Sequence, residues 1–171
     1  MTAGAGTLST VVLAPEPYDG AEVAEAVWEY FAETGERIFG RPATDEELRE
    51  AIAWDDCSEL APPHGVFLGA RDTDNTLLGF AGVRALTEAP GTCEFKRIYV
   101  RPAARGRGLG RRLLLAAEEE AVLLGARRII LNTRTVLTEA RGMYASHGYA
   151  EIPRYIDEDW AEHCFAKDLD V

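Results

Sequence analysis

The sequence predicts an α/β protein of the α+β type: a mixed, mostly antiparallel central sheet of about seven strands with helices on both faces. Three observations support this fold class. The early strands are separated by short turns, and the later strands are separated by segments of helical period. The chain has 171 residues, of which 47% are apolar, so it can bury one substantial core. We therefore expect a single domain over residues 1–171.

The N-terminal third predicts one strand and two helices. Residues 1–9 are small and polar and are expected to be loose. A short apolar strand over residues 10–14 ends at Pro15. The helix signals are two N-cap pairs and one glycine terminator: Asp19 with Glu22 and then Gly35 for the first helix, and Thr44 with Glu47 for the second.

The remaining two thirds predict strands that alternate first with turns and then with helices. Strands are expected at 66–71, 77–86, 94–100, 128–133, 149–154 and 160–167, and helices at 109–124 and 137–146. The aspartates of residues 72–75 lack the glycine and the distal glutamate of a calcium loop, so a simple turn is expected there. The histidines and cysteines lack the spacing of metal ligands, so no metal is expected.

The strand, turn and helix around residues 93–124 carry the most specific signal. The turn reads Arg105-Gly106-Arg107-Gly108-Leu109-Gly110 and lies where the unpaired N–H groups of the following helix point outward. Such a place binds phosphate. A Walker A loop is excluded because Arg111-Arg112 stands where the lysine and the hydroxyl are needed, and a dinucleotide fingerprint is excluded by the glycine spacing.

The charge distribution also favours a small anionic ligand. Residues 96–112 hold seven cations and no acid, in a chain with a formal net charge of −11. A local cationic cluster in an acidic protein favours one polyanionic small molecule over nucleic acid. The sequence has no apolar stretch of the length that spans a membrane, no signal peptide and no disulfide pattern. We expect a cytoplasmic protein without nucleic-acid or membrane partners.

The loop pattern R-x-x-G-x-G, met by Arg105, Gly108 and Gly110, resembles that of the GCN5-related N-acetyltransferases (GNAT). The resemblance extends over roughly residues 62–168, because the family's order of strand, loop, helix, strand, tyrosine-bearing helix and Gly-aromatic turn is also met. It implies a GNAT-like fold and acetyl-coenzyme A as the acyl donor. The implied cofactor-binding residues are Ile98, Tyr99, Val100, Arg105, Gly106, Arg107, Gly108, Leu109, Gly110 and Arg111, with Asn132 replacing an asparagine that many members carry where this chain has Leu137.

The resemblance also implies two catalytic residues. Glu94 would accept the amine's proton directly or through water, and Tyr144 would donate a proton to the departing thiolate. Each has a structural alternative. Glu94 would otherwise be an exposed strand carboxylate paired with an arginine, and Tyr144 a core tyrosine.

The leading hypothesis is an N-acetyltransferase that transfers acetyl directly, in a ternary complex, to a primary amine of a small molecule or peptide. A non-catalytic coenzyme A sensor and an ATP-binding protein are the alternatives. Residues 1–60 hold 14 acids against three arginines, which favours a cationic acceptor. A homodimer is left open.

Overall fold

The computed structural model describes residues 10–171, in which seven strands form one continuous sheet flanked by helices. The elements are β1 (Val12–Pro15), α1 (Ala21–Phe39), α2 (Asp45–Trp54), β2 (Gly65–Arg71), β3 (Leu77–Ala85), β4 (Thr92–Val100), α3 (Leu109–Leu123), β5 (Arg128–Thr133), α4 (Thr138–Ser146), β6 (Ala150–Ile152) and β7 (His163–Asp168), with a 3₁₀ turn at Pro102–Ala104. The strand order is β1-β2-β3-β4-β5-β7-β6. Of these neighbouring pairs, β4 and β5 run parallel and the others antiparallel. The predicted mixed, mostly antiparallel sheet is confirmed.

The first helix differs from its prediction at both ends. Its N-cap is Gly20 without a side-chain cap, so Asp19 does not cap it, and it runs through Gly35 to a left-handed Gly40 with φ of 68°. Gly35 is internal, where a Cβ would lie 3.2 Å from the Cβ of Ala43. Gly35 therefore allows the segment between α1 and α2 to pack closely against α1, and it does not end the helix. The expectation for residues 1–9 lies outside the described residues.

The second helix begins as predicted. Thr44 accepts from the backbone N–H of Glu47 at 3.2 Å, and Glu47 accepts from the backbone N–H of Thr44 at 2.8 Å. This capping box satisfies two N–H groups that a helix start leaves unpaired.

Apolar side chains cover both faces of the sheet, which confirms the predicted layers. On one face, Leu68 and Val83 pack with the buried side of α3, and on the other face Phe67 and Phe80 pack with α1. Adjacent residues of β2 thus point to opposite faces, as the alternation of a strand requires. Helices therefore pack on both faces of the sheet and hold its central strands in place.

The sheet opens between β4 and β5. Their parallel pairing ends at Glu94 opposite Ile130, although both strands continue beyond this point. The register between β4 and β3 shifts at Arg97, which has a positive φ of 64°. At this point β4 has one residue more than β3, and the extra residue forms a bulge. The bulge bends β4 away from β5, and a wedge opens between their carboxyl-terminal halves.

Candidate active site

The loop before α3 presents a row of unpaired backbone N–H groups. Gly106 and Gly108 have φ of 75° and 78°, a left-handed conformation that glycine adopts without strain. No backbone carbonyl within residues 10–171 accepts a hydrogen bond from the N–H groups of residues 106–111. The first turn of α3 carries no acid. The loop and helix start therefore combine free donors with the positive end of the helix dipole, which suits an anion.

A groove of about 310 Å³ leads from this loop along β4. Eight of the eleven predicted cofactor residues line it: Ile98, Tyr99, Val100, Arg105, Gly106, Gly108, Leu109 and Gly110. Arg107 and Arg111 are exposed beside the loop, and neither forms an ion pair with a carboxylate of residues 10–171. The structure thus brings together ten of the predicted residues at one place.

Two ion pairs link α1 to the walls of the groove. Glu33 accepts from Arg105 at 2.6 Å, and Arg105 also donates to the Val100 carbonyl at 2.8 Å. Arg37 pairs with Glu139 of α4, at 3.0 Å for the Oε2 contact. The hydrogen bond from Arg37 lowers the pKa of the Glu139 carboxyl to about 2. Arg105 is therefore engaged by a carboxylate that an incoming anion would have to displace.

A second space, the cavity, lies in the wedge beneath α1 and α2. It measures about 340 Å³ and is lined by side chains that include Phe31, Phe95, Arg97 and Tyr144. The cavity and the groove share five lining residues: Tyr30, Thr34, Ile98, Leu137 and Ala140. The two spaces therefore adjoin each other at these residues.

Tyr144 lines this cavity with an available hydroxyl. The side chain is 8% exposed, and its ring packs on Tyr149 and Phe165 at centroid distances of 5.8 and 6.1 Å. Its hydroxyl makes no hydrogen bond within residues 10–171. Burial raises the pKa of this hydroxyl, so it stays protonated at neutral pH.

Glu94 lies behind the cavity wall and lines neither the cavity nor the groove. Its side chain is only 3% exposed, and it pairs with Arg84 at 2.7 Å. Tyr155 donates to its other carboxylate oxygen at 2.8 Å. The arginine pairing matches the structural alternative, but the carboxylate is buried rather than exposed. Direct contact between Glu94 and a molecule in the cavity is not available in this arrangement.

Asn132 connects Glu94 to the cavity, which it lines together with Tyr144. Its Nδ2 donates to Glu94 at 3.3 Å and to the Tyr155 hydroxyl at 2.9 Å. Both amide protons are therefore engaged, and Asn132 lies outside the groove where the other predicted cofactor residues are found. The predicted contact between Asn132 and the cofactor stays a prediction.

Most acids of the N-terminal third are engaged by arginines. Four such pairs are Glu22 with Arg71, Glu29 with Arg101, Glu33 with Arg105 and Glu47 with Arg41. The negative rim expected from composition is therefore largely neutralised. The pairing could not be anticipated, because three of these four arginines are more than 45 residues away in sequence.

Several residues that line the groove and the cavity belong to no recognisable sequence motif. Tyr30 and Thr34 lie at the junction of groove and cavity, and Arg134 and Trp160 line the cavity. Arg134 follows β5 directly, and its position at the carboxyl end of a central strand was the available signal.

The described part of the chain contains no group of three or more histidine, cysteine or acidic side chains placed to hold a metal. All three cysteines are buried and unpaired, and burial raises the pKa of Cys93 to about 11. None of the helices within residues 10–171 is long and apolar enough to cross a membrane.

Comparison with known proteins agrees with this architecture. A protein of Schizosaccharomyces pombe described as an uncharacterized N-acetyltransferase is 34% identical over 139 residues, which is 81% of each chain. The structure of a GNAT-family acetyltransferase from Staphylococcus aureus covers 94% of this chain and 99% of its own with a TM-score of 0.73 at 15% identity. PaiA N-acetyltransferase from Thermoplasma acidophilum, solved with coenzyme A, covers 93% and 99% with a TM-score of 0.68 at 20% identity.

These structural likenesses establish the fold, and the sequence establishes the family. The family model described as the Acetyltransferase (GNAT) family matches residues 22–149, three quarters of the chain. That span contains the loop before α3, the wedge and Tyr144. The chain therefore belongs to the GNAT family of acetyltransferases.

Proposed function

We propose that this protein transfers the acetyl group of acetyl-coenzyme A directly to a primary amine of a small molecule or peptide, in a ternary complex. The observation that carries the proposal is the continuity of two spaces. The unpaired N–H groups of residues 106–111 begin a groove that opens into a cavity beside the Tyr144 hydroxyl.

The groove supplies donors for the whole length of such a molecule. The N–H groups of residues 106–111 would hold the pyrophosphate. Arg107 and Arg111 would reach the outer phosphates without displacing a described carboxylate, although Arg107 donates to the Ala103 carbonyl at 3.2 Å. Beyond Glu94, β4 is paired with β3 on one side and faces the open wedge on the other. Its unpaired peptide groups can therefore bind the amides of the pantetheine arm, as a neighbouring strand would.

Acetyl-coenzyme A supplies an activated acetyl group as a thioester. The amine nitrogen attacks the thioester carbonyl carbon, the C–S bond breaks, and the departing thiolate takes the proton of Tyr144 while the amine nitrogen loses one. A buried tyrosine that retains its proton at neutral pH suits this role as general acid.

Glu94 takes an indirect part in the proposal. Its carboxylate contacts the cavity only through Asn132, so it serves as a positioning residue for this amide and for Tyr155. The two carboxylates that do line the cavity, Asp55 and Glu47, are both engaged by cations. The amine proton therefore leaves to solvent through the opening of the cavity, and solvent returns a proton to the Tyr144 oxygen for the next turnover.

The test is release of free thiol when the protein is mixed with acetyl-coenzyme A and a panel of amines, with the N-acetyl product identified by mass spectrometry. Thiol release that depends on the amine supports the proposal. Tight binding of acetyl-coenzyme A by calorimetry without transfer to any amine would instead indicate a coenzyme A sensor. A thermal shift with ATP but not with acetyl-coenzyme A would indicate a nucleotide-binding protein.

A further inference from the structure

The charges that line the cavity are mainly positive, although the protein is acidic. Three cations, Lys96, Arg97 and Arg134, line it against two carboxylates, Asp55 and Glu47. Glu47 is engaged by Arg41 from outside the cavity. Asp55 is shared by Lys96 and Arg97 at 2.9 and 3.0 Å. Both carboxylates of the cavity are therefore paired with cations, and the cavity keeps a net positive charge.

Arg134 is the cation without a partner. Its guanidinium makes neither an ion pair nor a hydrogen bond within residues 10–171, although it is only partly exposed. Arg134 and Arg97 line the same cavity as Tyr30, which also lines the groove.

Other polar groups of the cavity residues also lack acceptors. The indole N–H of Trp160 and the Nε–H of Arg97 are buried and have no hydrogen-bond acceptor among the described residues. Arg97 is held rigidly, because its side chain is 3% exposed and its guanidinium lies over the Phe31 ring at 5.2 Å. These N–H groups are enclosed in the cavity wall, so they add to its positive character without facing the open space.

Most of the remaining lining is apolar or aromatic, with Thr34, Asn132 and Thr133 as the uncharged polar exceptions besides the tyrosines. Phe31, Phe95 and Leu131 contribute to the walls, and Trp54 packs edge-to-face on Trp160 at 5.6 Å. A cavity of about 340 Å³ is at the small end of ligand sites. Its size and composition suit a single apolar side chain rather than a polypeptide.

We propose that Arg134 binds a carboxylate of the acceptor, so that the acceptor is a free amino acid with an apolar or aromatic side chain. This inference rests on the proposed acetyl transfer and names its substrate class. It replaces the cationic acceptor expected from composition, because the acids behind that expectation are paired. Arg134 is chosen over Lys96 and Arg97 because it alone of these cations needs no acid to be displaced.

The experiment compares L-phenylalanine with L-phenylalaninamide and phenethylamine, which keep the amine and the ring but lack the carboxylate. L-leucine, L-methionine, L-tyrosine and L-tryptophan extend the amino-acid arm. At saturating acetyl-coenzyme A, kcat/KM for the best amino acid should exceed that for its amide by about 10- to 100-fold, the range of one charge-assisted hydrogen bond. Arg134→Gln should remove this preference through KM, and Arg134→Lys should restore part of it.

The control is Arg127→Gln, since Arg127 is an exposed arginine outside the cavity and forms no ion pair within the described residues. It should leave the preference unchanged. Binding of the amino acids is measured separately by calorimetry, so that the site is tested even if no transfer occurs. Binding that is lost in Arg134→Gln but kept in Arg127→Gln supports the inference even if acetyl transfer fails. Acetylation of the amide and the amine as fast as the amino acids, or no binding of any amino acid, would overturn it.

Discussion

Replacement of Tyr144 by phenylalanine separates catalysis from packing unusually well in this protein. The hydroxyl makes no hydrogen bond within residues 10–171, so Tyr144→Phe removes an oxygen without leaving a protein partner unsatisfied. The ring contacts with Tyr149 and Phe165 are kept. We therefore expect the free energy of unfolding to change by less than about 1 kcal/mol.

The catalytic effect should be much larger. A positioned general acid contributes about 10²- to 10⁴-fold, so kcat should fall by that factor, which corresponds to roughly 3–5 kcal/mol of barrier. The dissociation constant of acetyl-coenzyme A should stay within about twofold, because the hydroxyl lines the cavity and not the groove. Steady-state thiol release and calorimetry give the two quantities.

Tyr149→Phe is the matched control. The Tyr149 hydroxyl donates to Glu118 at 2.9 Å, and Glu118 is also bound by Lys167 at 2.9 Å. Its loss should cost about 1–3 kcal/mol of stability in chemical denaturation and leave kcat nearly unchanged. A fall in kcat of under threefold in Tyr144→Phe, or equal falls in both variants, would refute Tyr144 as the general acid.

Three further predictions follow from the groove and the core. Gly108→Ala should weaken acetyl-coenzyme A binding at least tenfold in calorimetry, whereas Gly91→Ala, with a similar φ of 81° far from the loop, should carry the same backbone strain and bind normally. Glu33→Gln should tighten acetyl-coenzyme A binding about two- to fivefold, because it frees Arg105 from its ion pair, while Glu36→Gln on the same helix should not. Unchanged affinity in Glu33→Gln would contradict the idea that Glu33 competes with the cofactor for Arg105. Burial raises the pKa of Tyr99 to about 12, so the stability this residue contributes below pH 10 should fall by about 2 kcal/mol as pH rises toward 12, and an equally steep fall in Tyr99→Phe would contradict this.

The elements that could be predicted from the sequence depend on local physical chemistry. A run of β-branched and aromatic residues, a glycine-rich turn and a helical period are readable within one segment, and the structure confirms β4, α3 and β5 within two residues at each end. The capping box of Thr44 and Glu47 is likewise a contact across three residues. The loop conformation follows for the same reason, because Gly106 and Gly108 adopt positive φ where other residues would be strained.

The electrostatics of the site were decided by the tertiary structure. Glu94 is a strand residue in sequence, but only the packing of β3, β5 and the segment around Tyr155 surrounds it with partners and removes it from the cavity. The bulge at Arg97 depends on the register between two strands and on the pair with Asp55. Charge balance from composition predicted a negative acceptor side, whereas in the described structure the acids that line the cavity are paired and Arg134 is the cavity cation that no described carboxylate pairs with. Ion pairs join residues that are distant in sequence, so the local field at a site is a property of the fold.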